Sequence, residues 1–406
     1  MPNSNTTRVF SLNFIGDIML GRLIDQLWPQ HVDNPHDHRT ITNFLDNYPY
    51  LESYTPKSPW GTALPLFHTS DLNLINLETA VTTSPEPWPN KAFNYRMHPA
   101  NVAALHEARI DYANLANNHV LDFGTEGLVE TVWTLRESRI AFSGAGERTK
   151  EAVSGTVVRL PRVEKEGGKV ARASSVSASA SASASQRQKG DDSEKQEHYQ
   201  IHISSASDHP SSWSDIPTFH FIDYTSSTRQ SLKSLLTSPS SQSAALKIFS
   251  VHWGPNYAWR PDSQIRSMAH FLVDECGVDI VHGHSAHHVQ GVERYKGKLI
   301  IYGCGDFVDD YALNEQFRND LGGVWRVWVR GVEGDGDGGK VKKLGLDRLE
   351  IFPTRCDRFQ VTLLNRADED HGWVRRRITK LTEEMGTKVR KDLGEEGQIV
   401  IDLDVD

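Results

Sequence analysis

The chain of 406 residues is poor in cysteine, with Cys276, Cys304 and Cys356 widely spaced, odd in number and without a CxxC pair. That usage excludes a disulfide framework and a thiolate-built zinc site, and it suits a reducing compartment. Positive charge is also short, 44 Lys and Arg against 53 Asp and Glu, a formal net charge of −9. Nucleic acid recognition calls for a basic face, so no nucleic acid partner is expected. No stretch approaches the ~18 consecutive apolar residues of a transmembrane helix, and none is expected. The opening residues, MPNSNTTRVFSLNFIGD, lack the basic region and apolar core of a leader and run directly into a strand pattern, so the expected location is cytoplasmic.

Histidine is what the chain concentrates. Four of its 18 histidines, His282, His284, His287 and His288, fall in HGHSAHHVQG, directly after the apolar run Val278 to Val281. An apolar run that stops in Gly and His reads as a buried strand delivering its last residues to a loop, where open α/β sheets place their sites. The same grammar recurs. Val9 to Ile15 alternates one apolar face with a mixed one and ends in GDIMLG, with Asp17 at the tip. Leu72 to Leu77 runs into Glu78, and Asp111 to Ala116 into Asn117, Asn118, His119 and Asp122. Leu246 to Trp253 carries His252, and Lys298 to Cys304 leads to Gly305 and Asp306.

Between the tips lie helical patterns. Pro99 opens one with Val102, Leu105 and Ala108 in phase, Thr125 reads as the cap of another with Leu128, Val132 and Leu135 on one face, and Asp262 to Cys276 is amphipathic. Leu27 to Thr62, rich in Pro, His, Asn and Tyr, reads as a solvated loop, so His31, His36 and His38 are not taken as ligands. Residues 162–200, with SSVSASASASAS, are too small and polar to offset the entropy of ordering and read as a disordered Ser/Ala-rich insertion. Strand signals of one kind flank it, so one domain over 1–406 is expected, with 311–406 supplying the last strands and a charged helix, Val374 to Leu393. Gly334 to Gly339 reads as a flexible turn, and the DEDH run at Asp368 to His371 as a solvated helix start.

If the strands lie side by side, their tips pool carboxylates, an amide oxygen and imidazoles. That mixed O/N set suits a divalent transition metal, Mn, Zn or Fe, as one or two ions. Two ions ~3.5–4 Å apart bridged by a carboxylate can activate water and clamp a phosphoryl group, and a histidine off the metal can serve as proton donor.

GDIMLG, NLE, ANNHVLDFG, HWG, HGHSAHHVQGVE and YGCGDF resemble, in that order, the pattern of the capsule-synthesis CapA proteins. That family is associated with poly-γ-glutamate production and with a calcineurin-like metallophosphoesterase-type fold, and the resemblance covers Val9 to Asp310 apart from the insertion. It implies an α/β fold, a four-layer α/β/β/α sandwich, with a dinuclear-type centre at the strand ends. Asp17, Glu78, Asn118, His252, His284 and His287 would hold the metal, Glu78 in the bridging position. His119 would be the proton donor, with Asp122 beside it in the catalytic set. Metallophosphoesterases place a His two residues after the first Asp, where this chain has Met19. Their bridging acid is Asp rather than Glu, their paired histidines sit two rather than three apart, and the CapA pattern carries Asn where Asp306 stands. The resemblance implies a metal-dependent hydrolase of a phosphoester or related bond, acting on a small molecule or an anionic polymer. The alternative is an accessory or binding protein beside a biosynthetic partner enzyme.

Overall fold

A computed structural model describes residues 8–162, 198–336 and 339–404 as a mixed α/β fold with several sheets. The serine-rich stretch from 163 to 197 and part of the glycine turn expected near 334–339 lie outside the described residues. Val9–Ile18 runs through the interior of the larger sheet. It is antiparallel to Leu321–Gly336 on one side and parallel to Leu72–Leu77 on the other, followed by Tyr112–Asn114 and Ala141–Ser143. Gly339–Asp357 extends the opposite flank, and Asp306–Val308 pairs with the end of Val9–Ile18. The second sheet has the order Val292–Tyr295, Lys298–Ile301, Ile280–His284, Leu246–His252, Tyr199–Ser207 and Thr156–Leu160.

The alternation in Val9–Ile18 explains how the sheets meet. Phe10, Leu12 and Phe14 enter one apolar cluster with Ile201, Ile203, Leu246, Ile248, Ile280 and Leu299 of the second sheet. Ile15 and Ile18, on the opposite side, join Leu105, Leu128, Val132 and Leu135 from helices. A third cluster sets Phe249, Val251 and Val281 against Ile265, Ala269 and Leu272 of the helix Ser263–Asp274. Each such Leu, Ile or Phe contributes roughly 1.5–3 kcal/mol on burial. Ser11 and Asn13, the polar members of the first strand, are buried as well. They remain tolerable because Asp71 accepts from the Ser11 amide and Asn13 Nδ2 donates to Leu66 O.

Three expectations need correction. Leu27 to Thr62 is no solvated loop: Pro35–Asn47 is a helix whose N-cap, Asn34, accepts from two backbone amides, and Ile41, Leu51, Tyr54 and Trp60 are core residues. Its apolar residues are too sparse for periodicity to show, but each is large. Thr125 does not cap its helix, which begins at Gly124 behind Phe123 without a side-chain cap. The DEDH run is only partly solvated, since His371 is buried with Nε2 2.8 Å from Gly397 O.

Candidate functional site

Parallel pairing brings the strand tips to one edge. Asp17 is in register with Asn76, two residues before Glu78, and His284 is in register with His252. A register shift between Phe14 and Asp17 re-aims the first strand at its tip. Gly16 is what permits it, because a Cβ there would stand 1.8 Å from Gly305 O. Asp17 N then donates to that carbonyl at 3.2 Å, fixing Asp17 beside Asp306.

Across the sheets, His252 Nδ1 lies 3.8 Å and His284 Nδ1 3.9 Å from Asp17 Oδ1, and the two imidazole nitrogens lie 2.9 Å apart. His287 Nδ1 lies 2.9 Å from Asp306 Oδ1 and 3.9 Å from Asp17 Oδ2. Glu78 Oε1 is 3.8 Å from His252 Nε2 and 3.9 Å from His119 Nε2. Two groups result, each with ligand atoms within 4.8 Å of one another: Asp17, His252 and His284, and Asp17, Glu78, His287 and Asp306. Asp17 is common to both. The three-residue histidine spacing works because Ser285 and His287 both adopt positive φ, 96° and 59°, folding the loop back on itself. Such backbone in non-glycine residues is strained and concentrates at functional sites.

Asn118 is half-buried one residue from His119, with its side-chain oxygen lacking a hydrogen-bond partner among the described residues. Met19 is fully buried, and its sulfur accepts from Gly21 N at 3.2 Å. His282 bonds to Ser250 Oγ and Ile15 O, and His288 to Val289 O. His119 pairs with Asp122 at 2.5 Å, and Asp122 is itself clamped by Lys91 Nζ and, at 2.6 Å, by the Tyr95 amide. The Tyr95 ring stacks on His119 at 3.9 Å.

The electrostatics suit a cation. Asp17, Glu78 and Asp306 are at most 2% exposed. Burial, then the nearby Asp306, pushes Asp17 up to about 7. Burial and Asp17 hold Glu78 well above the carboxylate range. Burial would lower His287, but Asp306, Glu78 and Asp17 outweigh it and raise it well above its ordinary value. Burial lowers His252 and His284 well below theirs, which leaves both imidazoles neutral and able to coordinate. Glu78 Oε1, His252 Nε2 and Asp306 Oδ2 are buried without hydrogen-bond partners among the described residues. Buried orphan atoms are costly, and a cation at each of the two groups would satisfy them. The residues therefore fit a metal. Burial, opposed by Asp122, lowers His119 to about 4, so at neutral pH it rests uncharged. With Nδ1 facing Asp122, its Nε2 is then an acceptor in the resting state.

Sequence reading did not count Asp306 among the ligands, although it sits at a strand tip like the others. Asn76, which donates to Asp17 Oδ1 at 2.6 Å, was hidden inside an apolar strand. Lys91 and Tyr311, whose hydroxyl donates to Glu78 Oε2 at 3.2 Å, come from loops with no periodic signal.

Fold and site together define a mixed α/β protein with a buried carboxylate and imidazole centre at the C-terminal tips of its parallel strands. The chain belongs to the family described as bacterial capsule synthesis protein PGA_cap, whose model matches residues 11–311. It is 30% identical to a probable polyglutamine synthesis accessory protein of Mycobacterium tuberculosis, over 92% of this chain and 91% of the relative. It is 25% identical to the capsule biosynthesis protein CapA of Bacillus anthracis, over 74% of this chain and 60% of that one. With the PGA biosynthesis protein CapA of Bacillus subtilis it shares 22% identity, over 85% and 71%. Among the described residues no helix is long and apolar enough to cross a membrane.

Proposed function

We propose that the chain is a metal-dependent hydrolase of a phosphoester or related bond within polyglutamate-type capsule synthesis, built as one domain with α/β/β/α layering. Three separate apolar clusters, one shared by the two sheets and one on each outer face, support the layering. The observation that carries the site reading is the set of orphaned buried atoms on Glu78, His252 and Asp306 around Asp17.

Asp17, His252 and His284 would hold one divalent ion, and Asp17, Glu78, His287 and Asp306 a second, with Asn118 adding an amide oxygen. When bound, such ions supply Lewis-acid polarisation of a phosphoryl oxygen and a nucleophile at neutral pH. Asn76 and the Ser285 amide, at 2.6 and 3.1 Å, hold the two Asp17 oxygens in place. His119 would take up at Nε2 the proton that the attacking water gives up and pass it to the leaving group, and Asp122 fixes its tautomer through Nδ1. Lys91 and the Tyr95 amide keep Asp122 from rotating away.

The test is elemental analysis of the purified protein, wild type beside His284→Ala, with turnover of a generic phosphomonoester and phosphodiester. Bound transition metal that falls in the variant, with turnover following it, supports the reading. Wild-type protein that takes up no metal on addition overturns it. A second reading, an accessory protein that binds a polymer or assists a ligase-like partner without cleavage, is favoured by the printed names of the Mycobacterium relatives and by buried Met19, which leaves one group with three side-chain ligands. Metal binding without turnover, together with recovery of a biosynthetic partner that His284→Ala retains, would select it.

A further inference from the structure

A cavity of about 230 Å³ lies beside the centre, walled by Arg22, Arg96, Asp25, Asp37, Gln26 and Asn94. Tyr95 touches both places: its ring stacks on His119, and the Arg22 guanidinium lies 5.5 Å from its centroid. The backbone is shaped for the approach of the two arginines. Arg22 has φ of 52°, the left-handed region that a non-glycine residue enters only under strain. Gly21 before it leaves room for the Arg96 carbonyl, 2.6 Å from where a Cβ would stand.

The lining has a definite hydrogen-bonding character. Both aspartates are already engaged. Asp25 accepts from the Val32 and His98 amides and from Asn101, and Asp37 from Asn34. They balance the two guanidinium charges, which disfavours a polyanion, and their bonds to neighbouring groups hold both carboxylates in place. The guanidinium groups are only partly engaged. Arg96 donates to Ser84 O and Asp33 O, and Arg22 Nε lies 3.4 Å from Asp310. Of the five N–H groups on each, some remain to donate to an anion. Gln26 Oε1 and Asn94 Oδ1 are buried acceptors without a partner among the described residues. The Gln26 amide cannot be flipped to hide this, because its Nε2 donates to Val32 O at 2.8 Å, and the residue is only 8% exposed.

A ligand that completes this lining must offer anionic oxygens to the arginines and N–H groups to the two amide oxygens. We propose that the cavity binds a small zwitterion of the α-amino acid class, free or as the end group of a chain. The volume lies below the usual ~300–1,000 Å³ of drug-sized pockets, which restricts the occupant to something small. The cavity is a second site, and its occupancy does not depend on whether the centre cleaves any bond.

Calorimetric titration of the full chain, at fixed metal content, with L-alanine, L-glutamine and L-glutamate tests it, with acetate and methylamine as half-ligands. At least one amino acid should bind at about millimolar Kd or tighter, and each half-ligand at least about tenfold more weakly. Gln26→Leu and Arg96→Met should each weaken that binding by about tenfold or more, the size expected for one charge-assisted hydrogen bond. Should Arg96→Met fail to fold, judged by its melting curve, Gln26→Leu carries the test. No binding by any of the three amino acids up to about 10 mM, acetate binding as tightly as they do, or Gln26→Leu binding like wild type would overturn the proposal.

Discussion

Replacing Asp17 by Asn tests the centre without an activity assay. The side chain titrates near 3.8 when unfolded and, because of burial and Asp306, near 7 when folded. A carboxyl whose folded pKa is raised contributes stability that is fully present below 3.8 and is lost as pH rises through 7. Each unit is worth 1.36 kcal/mol, so the metal-free wild type should lose on the order of 3 kcal/mol from this group between pH 5 and 8. Asp17→Asn has no such titration. Buried His119, His252 and His284, whose depressed values act in the opposite sense below 6.5, contribute to both proteins and cancel in the difference. Asn offers one oxygen where Asp17 offers two, so either the Ser285 amide or Asn76 loses its acceptor, a cost of about 1 kcal/mol. Urea unfolding at intervals across that range, with chelator, should therefore show the variant overtaking the wild type as pH rises. Adding Mn or Zn should reverse the order, since the ion replaces the proton on Asp17 in the wild type only. A wild-type-minus-variant difference that stays flat with pH in chelator, or is unmoved by metal, refutes the reasoning.

His119→Asn should lower kcat for a phosphoester by about 10²–10⁴ while metal content is unchanged, read by steady-state kinetics beside elemental analysis. Lys91→Met, which frees Asp122 without touching a proposed ligand other than the backbone carbonyl of Asn118, should lower kcat roughly tenfold with KM little moved. His282→Ala should cost about 1–3 kcal/mol of unfolding free energy by leaving Ser250 and Ile15 O short of a partner, with metal uptake retained. Metal titration should be stepwise, with Asp306→Asn weakening Mn binding more than Zn binding, because it strips oxygen from the carboxylate-rich group alone.

How much of this could be read from the chain follows from what sequence periodicity reports. Val9 to Ile15 and Leu72 to Leu77 were legible as strands because their apolar residues face a second sheet, and the acids just beyond them stood out against that background. Pro35–Asn47 was not legible, because a helix lying against one side of a core with Ile41 as its main anchor needs no continuous stripe. Lys91 and Tyr95 escaped for another reason. They act on the His119–Asp122 pair from a proline-rich loop some thirty residues upstream, and only tertiary contact reveals such a partner. Asn76 was concealed by its strand, since a polar residue in an all-buried hexad that also holds Asn73 reads as noise until its neighbour is seen to be Asp17.

The departures from the metallophosphoesterase pattern read differently once the distances are known. With Met19 in place of a histidine, the group around Asp17, His252 and His284 has two nitrogens and one oxygen. Opposite it, Asp306 stands where the CapA pattern carries Asn, and with Glu78 and Asp17 it gives the other group three oxygens and one nitrogen. A neutral donor has been lost on one side and a charged one gained on the other. Burial first, and then Coulombic repulsion among Asp17, Glu78 and Asp306, push the first two upward in the absence of a counter-charge. The same repulsion that makes the metal-free centre expensive would make an ion on the carboxylate side, beside Glu78, His287 and Asp306, the more firmly held of the two.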